Sequence, residues 1–285
     1  MTSALTPRTG VSAAAPQPDS GPRGAGPGRG RRVLVAVLPW ATTVALLAVA
    51  EILSRTGVLP DEVPPVTEVL AAGWQLVPTA KFAASLGATL VQVGIGLLIG
   101  VVVGVAAGLA LGAVPVLYRL THYVLDFLRF IPAVVYLPVL VLLMGATPRT
   151  AFLLAALGTV WPMLFQAYYG VAGVPAVLAD TARVFGLRPL QRFAHVVLPA
   201  VSPFVATGLR ISASHALVVV VAVQLITSVR GLGRDIAVYA ANAVYPQMYA
   251  LVAVVGLVGV VLNAGLGAVE RRQLHWHSAY RETWA

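Results

Sequence analysis

Charged side chains are scarce in this sequence of 285 residues, because only 10% are Asp, Glu, Lys or Arg while 59% are apolar. An average soluble domain carries roughly 25% charged residues. The chain therefore cannot cover a compact globule with polar groups, which excludes a soluble enzyme. Cysteine is absent, and this excludes a disulfide framework, thiolate metal ligands and a cysteine nucleophile. The single lysine, Lys81, lies outside any phosphate-loop motif, so no site for ATP hydrolysis is present.

The charge that is present is mostly positive. Nineteen Lys and Arg residues against ten Asp and Glu residues give a net charge of +9. Nucleic-acid-binding proteins have this balance, but the apolar fraction makes membrane lipid the expected partner, and no nucleic acid is expected. Residues 1–32 are rich in Pro, Gly and Arg and contain one acid, Asp19. This composition predicts a disordered basic cytoplasmic tail.

Long apolar stretches dominate the rest of the chain. A membrane-spanning helix needs about 20 mostly apolar residues, and this length predicts an all-α polytopic membrane protein with about six transmembrane helices. The second and sixth stretches exceed one crossing, so each should contain an additional loop or interfacial segment. The fifth is expected to begin near Ala200, because Arg210 can snorkel or face the protein interior. The predicted spans are 33–53, 82–118, 130–148, 150–179, 200–229 and 236–269.

The first apolar stretch has two interpretations. It follows Arg31-Arg32, as the apolar segment of a twin-arginine export signal does. Its 21 residues are long for a signal core, which favours a retained first span. We therefore expect a transmembrane domain over residues 33–270 and a cytoplasmic tail over 271–285.

The positive residues indicate the orientation, since they accumulate on the cytoplasmic side of membrane proteins. With six spans and a cytoplasmic amino terminus, both termini are cytoplasmic, and fourteen of the nineteen basic residues lie inside. Seven spans would move Arg271 and Arg272 outside, so six spans are favoured. The external segment 56–80 is expected to carry an interfacial amphipathic helix at 66–77. The external basic residues are Arg55, Lys81, Arg149, Arg230 and Arg234.

Small residues and prolines indicate helix contacts within the spans. The second span has a glycine at every fourth residue, which forms a smooth face for close packing. A static contact and a sliding contact near a pathway both agree with this pattern. Pro132, Pro138 and Pro162 fall inside predicted spans, where either functional kinks or ordinary bends are expected. The glycines are at positions 96, 100, 104, 108 and 112.

Polar residues within the spans are pathway candidates by default. The candidates here are Gln166, Tyr169, His215 and Gln224. Arg210 is interpreted as a structural pair or a headgroup contact. Ser214 and His215 are adjacent, so on a helix they point about 100° apart and do not form a nucleophile–base pair. We assign no catalytic residue and no metal ligand.

The segment 175–199 carries the most functional information. Residues 175–184 predict a short helix that Gly186 stops. Pro189 can begin a second short helix, which we expect to end near Pro199 before the chain enters the membrane. Arg183, Arg188 and Arg192 are expected to be exposed. A basic helix–glycine–helix on the cytoplasmic face is a docking element with no pattern for chemistry of its own.

The spacing of this segment resembles the cytoplasmic loop of ABC-importer permeases. That loop reads Glu-Ala-Ala, three residues, Gly, nine residues, Ile, one residue and Leu-Pro. The matching residues here are Asp180, Thr181, Ala182, Gly186, Val196, Leu198 and Pro199. Other segments are similar to permeases of the nitrate/sulfonate/taurine type, namely Phe130-Ile131-Pro132, Gly208-Leu209-Arg210 and Gly231-Leu232-Gly233.

The resemblance implies the fold of a type I ABC-importer permease and transport by alternating access. It implies a permease homodimer, ATP-binding cassette ATPase subunits that bind ATP and Mg, and an external solute-binding protein. The cargo would be a small organic sulfonate or similar oxyanion, imported across the cytoplasmic membrane of a prokaryote. The loop residues matched above would contact the ATPase.

Two features complicate the resemblance. Similar permeases usually have an acid about seven residues before Gly-Leu-Gly, where this chain has Gln224. The alternative function, an ATP-independent secondary transporter or channel, needs an ionisable residue deep in the membrane. Glu51 is the one plausible residue for that role.

Overall fold

A computed structural model describes residues 29–273, and their regular structure is entirely helical. The predicted all-α polytopic fold is confirmed. A 3₁₀ turn, Ala133–Tyr136, precedes α5, and a π-turn, Phe193–Val197, joins α8 to α9. The helices are α1 (Arg29–Arg55), α2 (Val66–Leu76), α3 (Ala80–Ala113), α4 (Pro115–Arg129), α5 (Leu137–Met144), α6 (Pro148–Ala172), α7 (Ala176–Val184), α8 (Pro189–Arg192), α9 (Leu198–Ile226), α10 (Leu232–Ala241) and α11 (Tyr245–Gln273).

Five helices in the described part are long and apolar enough to cross a membrane, and a bent pair brings the number to six. The bent pair consists of α4 and the segment Ala133–Met144, which meet at 82°. The expectation of one continuous span over 130–148 is therefore wrong. Pro132 precedes the 3₁₀ turn and Pro138 lies in the first turn of α5, where a missing N–H costs no helical hydrogen bond. Pro132 and Pro138 therefore lie at helix starts, and of the three prolines predicted to fall within spans only Pro162 is inside a helix.

The second correction concerns Pro199, where we expected a helix to end. The helix instead runs without a break from Pro189 to Ile226. Pro199 has no N–H for a bond to the preceding turn. The π-turn directly before it changes the hydrogen-bond register, and the Leu198 N–H bonds the Phe193 carbonyl five residues back. The second short helix of the segment 175–199 and the fifth span are therefore one continuous helix.

The most extensive helix contact in the described part is between α3 and α6. The glycine stripe of α3 faces α6, and its members from Gly96 to Gly108 are buried. A Cβ at Gly104 would overlap the Met163 Cβ and the Val160 carbonyl. The stripe is therefore a close backbone-to-backbone contact between α3 and α6.

Several other helices pack beside this pair. The chain divides into two compact units, of which the second begins at Ala50. In that unit α9 packs beside α6, and α3, α5, α6 and α9 share a core that includes Val93, Leu154 and Val220. The predicted amphipathic helix at 66–77 is α2, and it packs on α11. The tail residues 1–28 and 274–285 lie outside the described residues.

The glycine stripe predicts different effects for two Gly→Ala substitutions on α3. Gly104→Ala should lower the free energy of unfolding by about 1–3 kcal/mol, because the added methyl overpacks the α6 contact. Gly94→Ala is the matched control, since a Cβ there meets open space. It should be neutral or stabilise by up to about 1 kcal/mol through helix propensity. Thermal unfolding in detergent micelles measures both, and equal shifts in Tm would contradict the packing.

Candidate functional site

The helix α7 ends in a tight glycine turn. The Gly186 N–H bonds the Arg183 carbonyl at 2.9 Å, and the Leu187 N–H bonds the Ala182 carbonyl at 3.0 Å. This pair of bonds is the Schellman motif, which requires a left-handed residue and favours glycine. Gly186 has φ +67°, as the sequence predicted from a helix stop at this position.

The side chains around this turn face solvent and include large apolar groups. Val184 is 86% exposed and Phe185 is 78% exposed. Leu190, on the next helix, is 78% exposed. Asp180 and Arg183 form an exposed ion pair at 2.9 Å. We call residues 175–199 the docking element, because an exposed apolar patch with a charged rim is typical of a protein interface.

The far end of the docking element is anchored to the membrane helices. Val196 and Arg192 line an open cavity of about 350 Å³ together with the ends of α3 and α6, at Gly112 and Val171. Ala182 is buried on α7, and Thr181 Oγ1 donates to the Val177 carbonyl within the same helix. Leu198 is half exposed, whereas Pro199 is partly buried. The sequence-matched residues therefore divide into exposed and anchoring positions.

A second candidate lies between the α4–α5 bend, α6 and α9. An open cavity of about 630 Å³ has Arg129, Trp161, Gln166 and His215 among its lining residues. We call it the Arg129 cavity. The His215 Nδ1 lies 2.9 Å from the Ile211 carbonyl, which can only accept, so Nδ1 carries the hydrogen and Nε2 remains for other partners. The cavity brings together two predicted pathway residues, Gln166 and His215.

The other two predicted pathway residues lie elsewhere. Tyr169 is 47% exposed, and its ring packs at 5.5 Å from that of Tyr168, which stacks at 4.1 Å on Tyr118. Gln224 is completely buried. Neither residue lines the Arg129 cavity.

Gln224 is the centre of a buried polar network. Its Oε1 accepts from the Gly233 N–H at 3.0 Å and from Thr89 Oγ1 at 3.2 Å, and its Nε2 donates to Gln92 Oε1 at 3.0 Å. The network continues from Gln92 Nε2 to the Arg230 carbonyl at 3.0 Å. It fixes the turn between α9 and α10 against α3. A Cβ at Gly231 would overlap the Gln224 amide, so this close approach requires glycine.

Sequence reasoning missed several of these residues. Arg129, which forms an ion pair with Asp126 at 3.3 Å, was not among the predicted pathway residues. Its place in the cavity follows from the bend, which an apolar run over 130–148 does not reveal. Thr89 and Gln92 were also missed, although their spacing of three puts two polar groups on one face of an apolar helix.

Glu51 lies at the end of α1 and is fully engaged by neighbours. Its carboxylate accepts hydrogen bonds from the Arg55 guanidinium and from both the N–H and the Oγ1 of Thr67. These contacts join the end of α1 to the start of α2. A carboxylate held in this way is a structural link and is poorly suited to carry a coupling ion.

Comparison with known proteins identifies the kind of chain to which this geometry belongs. Residues 96–275, well over half of the chain, match the family described as binding-protein-dependent transport system inner membrane component. The chain belongs to this permease family. It is therefore a multi-pass membrane transport protein and not an enzyme, and the expected permease resemblance is confirmed.

Individual relatives agree with this assignment. The permease is 27% identical over 252 residues to the aliphatic sulfonates transport permease SsuC of Escherichia coli, covering 88% of this chain and 95% of that one. It is 29% identical to the taurine transport permease TauC of Escherichia coli, over 76% of this chain and 81% of that one. It is 26% identical to the nitrate import permease NrtB of Leptolyngbya laminosa, over 72% and 77% of the two chains.

Solved structures show the fold. A chain from inward-facing conformations of the MetNI methionine ABC transporter superposes with a TM-score of 0.59 at 17% identity, covering 67% of this permease and 95% of that chain. A chain from a second crystal form of that transporter superposes with a TM-score of 0.53 at 19% identity, covering 70% of this permease and 96% of that chain. The expected ABC-importer permease fold is confirmed.

Two other polar sites of the permease have local roles. Arg210 pairs with Glu270 of α11 at 3.2 Å, in agreement with the structural interpretation. Ser214 Oγ donates to the Arg210 carbonyl, and His215 bonds the Ile211 carbonyl. Both side chains are thus bonded within their own helix, and the pair has no hydrolase arrangement.

The Gln224 network predicts a large effect for the loss of one amide. Gln224→Ala should lower the free energy of unfolding by about 1–3 kcal/mol or more, because the Gly233 N–H and Gln92 lose buried partners. Gln224→Glu should also destabilise, since it turns a carboxylate oxygen toward Gln92 Oε1. Gln75 is exposed, and Gln75→Ala should stay within about 0.5 kcal/mol. Tm values in micelles compare the three, and equal values for Gln224→Ala and Gln75→Ala would contradict the network.

Proposed function

We propose that this permease is the membrane subunit of an ATP-driven importer for a small organic sulfonate or similar oxyanion. The observation that carries the proposal is the docking element, whose spacing matches the ATPase-contacting loop of ABC-importer permeases. The names of the relatives SsuC, TauC and NrtB support an oxyanion cargo. The charge-poor membrane helices support an energy source on a partner subunit.

The proposed assembly has two permease copies, two ATPase subunits that bind ATP and Mg, and an external solute-binding protein. Val184, Phe185 and Leu190 supply the apolar contact with the ATPase, and the arginines of the docking element supply its charged rim. ATP-driven closure of the ATPases displaces the docking element. Because α8 continues into α9, this displacement acts directly on a membrane-spanning helix and switches the access of the pathway.

The glycine turn provides the first test of this proposal. Gly186→Val places a β-branched residue at φ +67°, which costs roughly 1–2 kcal/mol and should unwind the turn that presents Phe185. Co-purification with the ATPase and solute uptake should both fall several-fold.

A matched control separates docking from general stability. Gly57 has φ +71° and open space around it, as Gly186 does, but it lies in the loop after α1. Gly57→Val should therefore carry a similar backbone cost and retain ATPase binding. If Gly186→Val binds the ATPase and transports like the unmodified chain, the coupling role is wrong.

The proposed orientation, with both termini in the cytoplasm, predicts a pattern of chemical labelling. The chain has no cysteine, so single substitutions report without background. Glu62→Cys should react with a membrane-impermeant maleimide in intact cells. Arg188→Cys should react only after the cells are opened, since it lies in the docking element. Both positions are exposed, and labelling of Arg188→Cys from outside would reverse the topology.

A further inference from the structure

We propose that the Arg129 cavity is the binding site for the anionic head group of the transported solute, with Arg129 as its charged determinant. The inference rests on the proposed function, because it assigns the oxyanion cargo to a place within the membrane domain. The volume of about 630 Å³ lies within the range of roughly 300–1,000 Å³ for small-molecule sites.

The polar groups of the cavity suit an anion. Its described lining contains one formal charge, the Arg129 guanidinium, and no Asp or Glu. Gln166 offers an amide N–H that can donate to an oxyanion, whereas His215, whose Nδ1–H is used by the Ile211 carbonyl, can donate from Nε2 only when the ring is protonated. Charge-assisted bonds from guanidinium to an oxyanion are among the stronger polar contacts in proteins.

The position of Arg129 is fixed by its neighbours. Its guanidinium carbon lies 4.7 Å from the ring centre of Phe165 and 5.1 Å from that of Phe130. Phe165 is 93% buried, with an exposed fraction of 7%, so it forms a rigid platform. Stacking of a guanidinium on an aromatic face orients its planar N–H fork without consuming the donors. A preorganised donor set loses less entropy when a solute binds.

The rest of the cavity suits a small organic group. Trp161, Ile211 and Val219 line it beside the polar groups. One wall is the irregular backbone between α4 and α5, and such backbone is tolerated at membrane depth where it lines a cavity or is buried in protein. An alkyl group next to a charged head, as in a sulfonate, therefore has apolar and polar partners in one site.

Asp126 allows a role in anion binding to be distinguished from a purely structural role of Arg129. It pairs with Arg129 at 3.3 Å but is not among the lining residues. The carboxylate competes with a bound anion for the guanidinium. Removal of this charge should therefore strengthen anion binding, whereas removal of the guanidinium should weaken it.

The experiment uses Trp161 as a reporter inside the cavity. In the full chain in phosphatidylcholine nanodiscs, the other four tryptophans are replaced by phenylalanine, and fluorescence is quenched by iodide. Ethanesulfonate should reduce this quenching by competition, and the uncharged ethyl methyl sulfone should not. Acrylamide, a neutral quencher, reports the accessibility of Trp161 independently of charge and so verifies that each variant is folded.

The variants give opposite expected signs. Arg129→Gln should reduce the iodide quenching constant at least about fivefold, because the anion loses its charge-assisted contact with the guanidinium. Asp126→Asn should raise the constant about two- to threefold, because the guanidinium no longer pairs with a carboxylate. Arg149→Gln removes an exposed charge outside the cavity and should change nothing. Acrylamide quenching should be the same throughout.

Three outcomes would overturn the inference. The first is a shift of iodide quenching in the same direction for Arg129→Gln and Asp126→Asn. The second is a failure of ethanesulfonate to compete with iodide. The third is a loss of this competition when phosphatidylglycerol replaces phosphatidylcholine. The last result would assign the cavity to a lipid headgroup. Because no ATPase takes part, the anion site can fail while the Gly186→Val test succeeds, and the reverse also holds.

Discussion

The close contact between α3 and α6 is the constraint on which the rest of the structure depends. Four buried glycines let the two backbones approach without intervening side chains. In a lipid environment such packing replaces the hydrophobic driving force that holds soluble helices together. The same two helices then provide a wall of the core shared with α9, and their far ends form the surface on which the π-turn rests. The docking element contacts the ends of both helices, and α6 also lines the Arg129 cavity.

Polar groups are few in the described part of the chain, and several of the buried ones have a structural purpose that can be traced. The amide of Gln224 satisfies backbone groups of the turn between α9 and α10, where an unpaired N–H would be costly. Glu51 joins α1 to α2 through Thr67, and Glu270 joins α11 to α9 through Arg210. The Arg129 cavity differs from these sites, because a guanidinium and an amide line open space there.

The sequence was sufficient for the class of fold and for the glycine turn after α7, because both depend on local signals. Apolar length identifies spans, and a glycine after a short helix identifies its end, as at Gly186. The bend before α5 and the continuity through Pro199 could not be predicted. Both depend on how a proline is accommodated by its neighbours, through a 3₁₀ turn in one case and a π-turn in the other. The Arg129 cavity was missed for the same reason, since it exists only because of that bend.

The π-turn at Phe193–Val197 has a geometric consequence for recognition. It contains one more residue per turn than an α-helix, and one residue corresponds to a rotation of about 100°. Everything that precedes it, including Leu190, is therefore rotated by about this angle relative to a uniform helix. A single inserted residue therefore sets the direction, around the helix axis, in which the permease presents its exposed apolar residues to another protein. The direction of α9 alone does not set it.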